Sequence, residues 1–428
     1  MHLIDNLLQI RIASAKSFPL LLITSLLSAC VLQDLDEDLE HARQDYGYFK
    51  GRITGAENSA NIQFLFVRDD GGDELVEKVR TIRYDETFYV LVVRAEYTVV
   101  AFEDANGDFV YQPGEPTARL RNPVVNWFSD LQANEPVDPD VLSLQEIELS
   151  ADTILDREYD LSHHAVQDLT KGTANFLRII TWDEESFSDE NVQLGMWQPI
   201  AFEEDVGFGL CVLEEFDPAK NSIVLVHGIN DSPRVFRELA EAIPDNYQLL
   251  LFHYPSSFPL NYTSYVLDEG LDELIQRYDI PQIDVIAHSM GGLVSKGMIY
   301  QADSLVTDRL RIFVSIASPF GGHSAAAHGI RWAPVIAPVW WAMTPGSPYL
   351  QKIASVDLSE GPDHHLIYTY SHETGGERKD DDGVVSVESQ LDESAQAGAT
   401  AVYGFADNHT GVMRNDEALL LVATILGE

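Results

Sequence analysis

Residues 283–287, Ile-Asp-Val-Ile-Ala, form a short and mostly apolar run suited to a buried strand. They pass without a linker into His288-Ser289-Met290-Gly291-Gly292 and then into a helical pattern over 293–300. A strand that turns at once into a helix has room only for small residues two before and two after its apex, and Ala287 and Gly291 meet that need around Ser289. Such a junction belongs in a parallel sheet covered by helices. The sequence around it agrees: residues 222–226, 248–253, 283–287, 311–316, 366–370 and 401–405 are short apolar runs bounded by turn residues, as buried parallel strands are. Ser232 and Pro233 can open a helix whose inner face carries Phe236, Leu239, Ala240 and Ile243. Leu267, Leu271, Leu274, Ile275 and Tyr278 fall at the three-and-four spacing of a second helix.

A chain of 428 residues exceeds one ordinary core, and its 45% hydrophobic content supplies enough apolar surface for two. With 69 acidic against 27 basic residues the formal charge is −42, which disfavours nucleic acid and any basic-patch contact with an anionic membrane. At the N-terminus Arg11 and Lys16 precede an apolar run over 18–27, the layout of an export signal. It ends in Leu27-Ser28-Ala29-Cys30, which resembles the bacterial lipobox. That resemblance implies removal of residues 1–29 and a lipid on Cys30, and Val31 at the following position implies the outer membrane or cell surface. An ordinary signal peptide is the alternative. The acidic residues of 30–45 then read as a solvated tether. Cys211 is left without a disulfide partner and reads as a buried, inert thiol.

Residues 46–150 change character, with β-rich runs at 61–67 and 87–102 and a turn cluster at Asp69-Asp70-Gly71-Gly72, and they predict a small β-sandwich. Residues 151–198 lack a clear period and read as a connector or as edge elements of the α/β domain at 199–428. Within the β-rich part, Asp104, Asn106, Asp108 and Glu115 have the spacing of a calcium loop, although Phe109 stands where that loop needs Gly. Structural calcium and an ion-free Asx-rich turn are both open.

A serine activated as a nucleophile needs a general base, and the base needs an acid to orient it. Downstream of Ser289, Asp382 lies in Asp382-Gly383-Val384-Val385 after the strand at 366–370, and His409 lies in Asn408-His409-Thr410-Gly411 after the strand at 401–405. His372, His364 and His365 precede the acid or lead into a strand. Upstream, residues 223–226 run into His227-Gly228-Ile229, where His227 reads as a buried residue orienting its loop. Together, VLVHG, AHSMGG, SIASPFGG, DGVV and NHTG resemble, in order, the landmarks of α/β-hydrolase lipases and esterases from about residue 222 onward. The resemblance implies an α/β-hydrolase fold, Ser289 as nucleophile, Asp382 as acid and His409 as base. It also implies an oxyanion hole from the Ile229 and Met290 N–H groups, and acyl-ester chemistry that requires no metal or organic cofactor.

Residues 324–343, with Ile330, Trp332, Val335, Ile336, Val339, Trp340 and Trp341, are unusually apolar for a connection. They read either as a lid or acyl-chain pocket, favouring hydrophobic acyl esters, or as a helix pair buried on the sheet. An acyltransferase or amidase on the same residues, or a non-catalytic surface binding protein, are the competing functions. For the anchor, Cys30→Ala is expected to move the protein from membrane to soluble fractions; unchanged membrane association would remove the lipoprotein reading.

Overall fold

In a computed structural model, the described residues are 18–55, 62–70, 73–82, 87–127, 143–161, 177–302, 304–333, 335–371 and 380–427. The basic residues Arg11 and Lys16, the turn residues Gly71 and Gly72, and His372 lie outside them.

The β-rich half begins with β1 (Tyr46–Thr54), β2 (Ile62–Asp70), β3 (Asp73–Ile82), β4 (Thr87–Val93) and β5 (Tyr97–Glu103). It continues with β6 (Thr117–Arg121), β7 (Asn126–Trp127) and β8 (Leu144–Glu148). One sheet runs β4-β1-β7 with β8 parallel to β1, and the other runs β3-β2-β5-β6. Their inner faces share one core containing Phe49, Ile53, Phe64, Phe66, Phe88 and Val99, so this half is a sandwich. Alternate residues of β2 and β5, Leu65, Val67, Val100 and Phe102, face the other way and are covered by Tyr111, Leu155, Tyr159 and Leu161.

The C-terminal half is built on β9 (Arg178–Ile179), β10 (Gly209–Val212), β11 (Asn221–Val226), β12 (Tyr247–His253), β13 (Ile283–His288), β14 (Leu310–Ile316), β15 (Asp363–Thr369) and β16 (Ala401–Phe405). They form one sheet in the order β16-β15-β14-β13-β11-β12-β10-β9, with β10 antiparallel to β12 and the other neighbours parallel. Alternation puts Val224, Val226, Val285 and Phe313 on one face and Ile223, Leu225, Ile286 and Val314 on the other. Both faces are covered, which is why these strands read as continuous apolar runs. β12 and β13 leave β11 on opposite sides, so the strand order reverses there, and clefts in such sheets open at the carboxyl ends beside that reversal. β15 begins earlier than expected, because buried His364 and His365 are part of it. The helix expected from Ser232 is a 3-10 turn, Pro233–Phe236, followed by one α turn. Ser232 does not cap it; its hydroxyl donates to the Phe187 carbonyl at 3.4 Å.

Before the sandwich, α1 (Phe18–Asp45) is continuous, which corrects the expectation of a solvated tether over its acidic residues. Leu35 and Ala42 are buried in the core that covers the large sheet, and Val31, Leu32 and Leu39 pack against it. The helices they meet are α2 (Asp189–Trp197) and α3 (Pro199–Asp205). α3 has no side-chain cap of its own, and buried Asp38 supplies one from α1, accepting from the Ile200 N–H at 2.9 Å and the Ala201 N–H at 3.1 Å. Tyr46 also donates to Glu204. Charge density suggested solvent, but the apolar residues interleaved with the acids made a packed face. Among the described residues no helix is long and apolar enough to cross a membrane.

Asp38→Ala removes both acceptors from the start of α3 and is expected to destabilise the fold by about 1 kcal/mol. Thermal or urea melts of the two proteins check this, and identical midpoints would show that the contact contributes nothing.

Candidate active site

Ser289 sits at the end of β13, with φ 54° and ψ −126°. A non-glycine residue in this region is strained by about 1–3 kcal/mol, and the surrounding contacts hold it there. Its N–H donates to the Ile316 carbonyl of neighbouring β14 at 2.8 Å. α5 (Met290–Gln301) follows immediately, packed against α4 (Leu260–Tyr278). A Cβ on Gly291 would stand 2.1 Å from the Val226 carbonyl oxygen, so the turn can press against β11 only because residue 291 is Gly. A Cβ on Gly228 would come 2.9 Å from Ser289 Cβ, so that Gly lets the loop after β11 approach the serine.

His409 reaches the serine from the loop after β16. Its Nε2 lies 2.8 Å from Ser289 Oγ and its Nδ1 lies 2.8 Å from Asp382 Oδ2. The carboxylate accepts only, so Nδ1 carries the proton and Nε2 is left to accept from the serine hydroxyl. Asp382 is tied down by more than the histidine. Thr369 Oγ1, at the end of β15, donates to Oδ2 at 2.6 Å, Gln390 Nε2 donates at 3.2 Å, and the N–H groups of Val384 and Val385 donate to Oδ1 at 2.9 and 2.8 Å. Burial by itself pushes this carboxyl up; the hydrogen bond and charge of His409, with the bonds from Thr369 and Val385, outweigh it and hold the group below its usual range. The structure thus brings together the three side chains that chain order singled out.

Ile229 and Met290 flank the serine, one in the loop after β11 and the other as the first residue of α5, where a backbone N–H has no acceptor within its helix. His227 is fully buried, stacks on Tyr254 with centroids 4.1 Å apart, and contacts the Gly228 carbonyl through Nδ1 at 2.9 Å. Its contacts run to the next residue of its own loop and to Tyr254, just beyond β12, whose hydroxyl donates to the His227 carbonyl. Cys211 is buried in β10, and burial pushes its thiol up to about 11, which keeps it protonated and unreactive.

Some residues of the site were missed from sequence. His288 Nε2 lies 2.9 Å from the His409 carbonyl and steadies that loop. Its place beside Ser289 was a signal, whereas Gln390 and Thr369 carried none, because only the folded loop aims them at Asp382.

The apolar insertion is a pair of helices of unequal burial. α6 (Ser324–Trp332) has Trp332 73% exposed, while α7 (Pro338–Met343) is seated by buried Val339, Ala342 and Met343. Val339 N–H donates to the Ser257 carbonyl at 3.0 Å.

The acidic loop of the sandwich is closed on itself. Asp104 accepts from the N–H groups of Gly107, Asp108 and Phe109, and Glu115 accepts from those of Ala105 and Gln112. Asn106 and Asp108 bond to each other. Among the described residues no group of three or more His, Cys, Asp or Glu side chains is placed to hold a metal ion. The bonds from Asp104 and Asp108 to N–H groups further along the loop are Asx-turn hydrogen bonds.

Residues 221–345 match the family described as alpha/beta hydrolase fold. The C-terminal domain is an α/β-hydrolase fold. Among solved structures, the mature lipase BlEst2 of Bacillus licheniformis is 16% identical with TM-score 0.37, over 50% of this chain and 94% of that one. Lipase B of Aspergillus fumigatus is 17% identical with TM-score 0.40, over 51% and 56%. The Pyrococcus furiosus esterase PF2001 is 16% identical with TM-score 0.34, over 49% and 83%. No curated protein matches the chain significantly.

The α/β-hydrolase domain also carries a pH liability. Burial lowers His227 to about 4 and His288 to about 3, and lowers His253, enclosed by Phe187 and Phe202, well below the ordinary value. Below about pH 6.5 the unfolded chain protonates these histidines while the fold keeps them neutral, so the unfolded chain binds more protons and stability falls with pH. Each contributes up to about 1.4 kcal/mol per pH unit between roughly 6.5 and its folded value. Thermal melts from pH 7 to pH 5 are expected to show a falling midpoint, and a constant or rising one would contradict this.

Proposed function

We propose that the chain is a serine hydrolase of carboxylic esters with hydrophobic acyl groups. The observation that carries this reading is the continuous relay Ser289 Oγ, His409 Nε2, His409 Nδ1, Asp382 Oδ2, with 2.8 Å at each hydrogen bond.

In this reading Ser289 Oγ attacks the acyl carbonyl carbon as its proton passes to His409 Nε2. Asp382, kept ionised by its environment, stabilises the imidazolium and fixes the tautomer. The N–H groups of Ile229 and Met290 receive the charge that develops on the carbonyl oxygen, with the positive end of α5 behind Met290. Collapse breaks the ester C–O bond, and the alcohol leaves with the proton from His409. Water then repeats the sequence on the acyl-enzyme, giving its proton to His409, and the carboxylic acid departs as Ser289 regains its hydrogen. This chemistry draws on side chains and backbone alone.

The insertion supports an apolar acyl group: a seated helix, α7, joins a helix that holds exposed Trp332 at its end. Export as a lipoprotein is part of the same reading. A lipid on Cys30 would stand one residue before Val31, which packs on the α/β-hydrolase core, so the domain would be held at the membrane with little slack.

The test is hydrolysis of p-nitrophenyl esters of graded chain length, with and without an alcohol acceptor. Wild type is expected to release nitrophenolate, to prefer longer chains and to yield free acid, and Ser289→Ala is expected to lose about 10⁴-fold or more in kcat. Ester as the main product in the presence of alcohol would reassign the protein as an acyltransferase. Equal rates for wild type and Ser289→Ala would remove the nucleophile.

A further inference from the structure

We propose that His323 is a positioning residue that fastens the apolar insertion to the loop carrying Asp382, so that the acid's geometry depends on how the insertion is seated. The inference rests on the reaction proposed above and adds a residue to it.

His323 stands at the stem of the insertion and both of its ring nitrogens are committed. Nδ1 accepts from the Ala325 N–H at 3.2 Å, which makes the side chain the N-cap of α6. Nε2 lies 2.8 Å from the carbonyl oxygen of Val384. A backbone N–H only donates and a carbonyl only accepts, so a single neutral tautomer, protonated at Nε2, satisfies both. Burial lowers the histidine from its ordinary value, opposed by the bond to Val384, and this favours that neutral form.

Each end of this bridge leads somewhere. The Val384 N–H donates to Asp382 Oδ1, so the peptide pair on either side of Val384 is held by His323 through its carbonyl and by the acid through its amide. The His323 N–H donates to the Met343 carbonyl at 2.7 Å, closing the base of the insertion across its two ends. Beside it, the Ser389 hydroxyl donates to the Gly322 carbonyl at 2.6 Å, and Gly321 N–H donates to the Ser389 carbonyl at 2.9 Å. Gln390, the next residue, donates to Asp382. The stem of the insertion and the support of the acid are therefore one hydrogen-bonded unit, and His323 is the side chain that reaches both α6 and the acid loop.

The two nitrogens can be separated by substitution. The Asn side chain places an oxygen near Nδ1 and can keep the cap but not the bridge, whereas Gln places an amide nitrogen near Nε2 and can keep the bridge but not the cap. Hydrogen exchange of the full-length protein, read by mass spectrometry, is expected to accelerate over 380–390 in His323→Ala and His323→Asn but not His323→Gln. Over 324–333 it is expected to accelerate in His323→Ala and His323→Gln but not His323→Asn. With a short soluble ester, kcat should fall about tenfold in the Ala and Asn variants with KM within about twofold, and the Gln variant should restore it. Exchange over 380–390 equal to wild type in all three variants, or full kcat in His323→Ala, overturns the proposal. An inactive wild type would instead overturn the reaction, while the exchange pattern still decides the coupling.

Discussion

The carboxylate of Asp382 is the point at which four separate stretches of chain are joined. Thr369 comes from the end of β15, Gln390 from the helical turn beyond the acid loop, Val384 and Val385 from that loop itself, and His409 from the loop after β16. A buried carboxylate costs several kcal/mol unless its oxygens are satisfied, and here both are. Satisfying them sets the direction of the lone pair that meets His409 Nδ1. That in turn leaves Nε2 facing Ser289, and the His409 N–H, donating to the Asp382 carbonyl at 3.1 Å, holds the two loops in step.

The sheet supplies the other half of the geometry. Reversal of strand order at β11 puts the loop carrying Ile229 next to the turn carrying Ser289, and Gly291 and Gly228 let the two close to contact distance. The serine is in a strained backbone conformation, with its N–H held by the Ile316 carbonyl of β14 and the following turn pressed on β11 at Gly291. The remainder of the chain is built onto this frame: α1 caps α3 through Asp38 and continues directly into β1 of the sandwich. Apart from buried Asp38, its acidic residues lie on the more exposed side of a packed helix.

Much of this was legible in the sequence, for identifiable reasons. Strands buried on both faces announce themselves as unbroken apolar runs, which is why β11, β13 and β14 lie within a residue of their expected bounds. The tight turn at Ser289 restricts side-chain size so severely that Ala287 and Gly291 marked it. What was not legible came from tertiary contacts. β9 and β10 are too short to show a pattern, the start of β15 was hidden by two buried histidines, and the packing of Leu35 and Ala42 was masked by surrounding charge. Thr369, Gln390 and His323 belong to residue types that occur anywhere, and only the folded loops give them a direction.

The central claim is that Asp382 acts through the tautomer and placement of His409, and Asp382→Asn tests it with little change of shape. The amide carries no charge and keeps one accepting oxygen where the carboxylate offers two, so it cannot serve the donors from Thr369, Gln390, Val384, Val385 and His409 together. The measurement is the second-order rate of Ser289 labelling by a fluorophosphonate, wild type against Asp382→Asn, with thermal midpoints as a control for folding. A fall of about 10³-fold or more with a folded variant is the expected result. Labelling of the Asn variant at the wild-type rate would contradict the account.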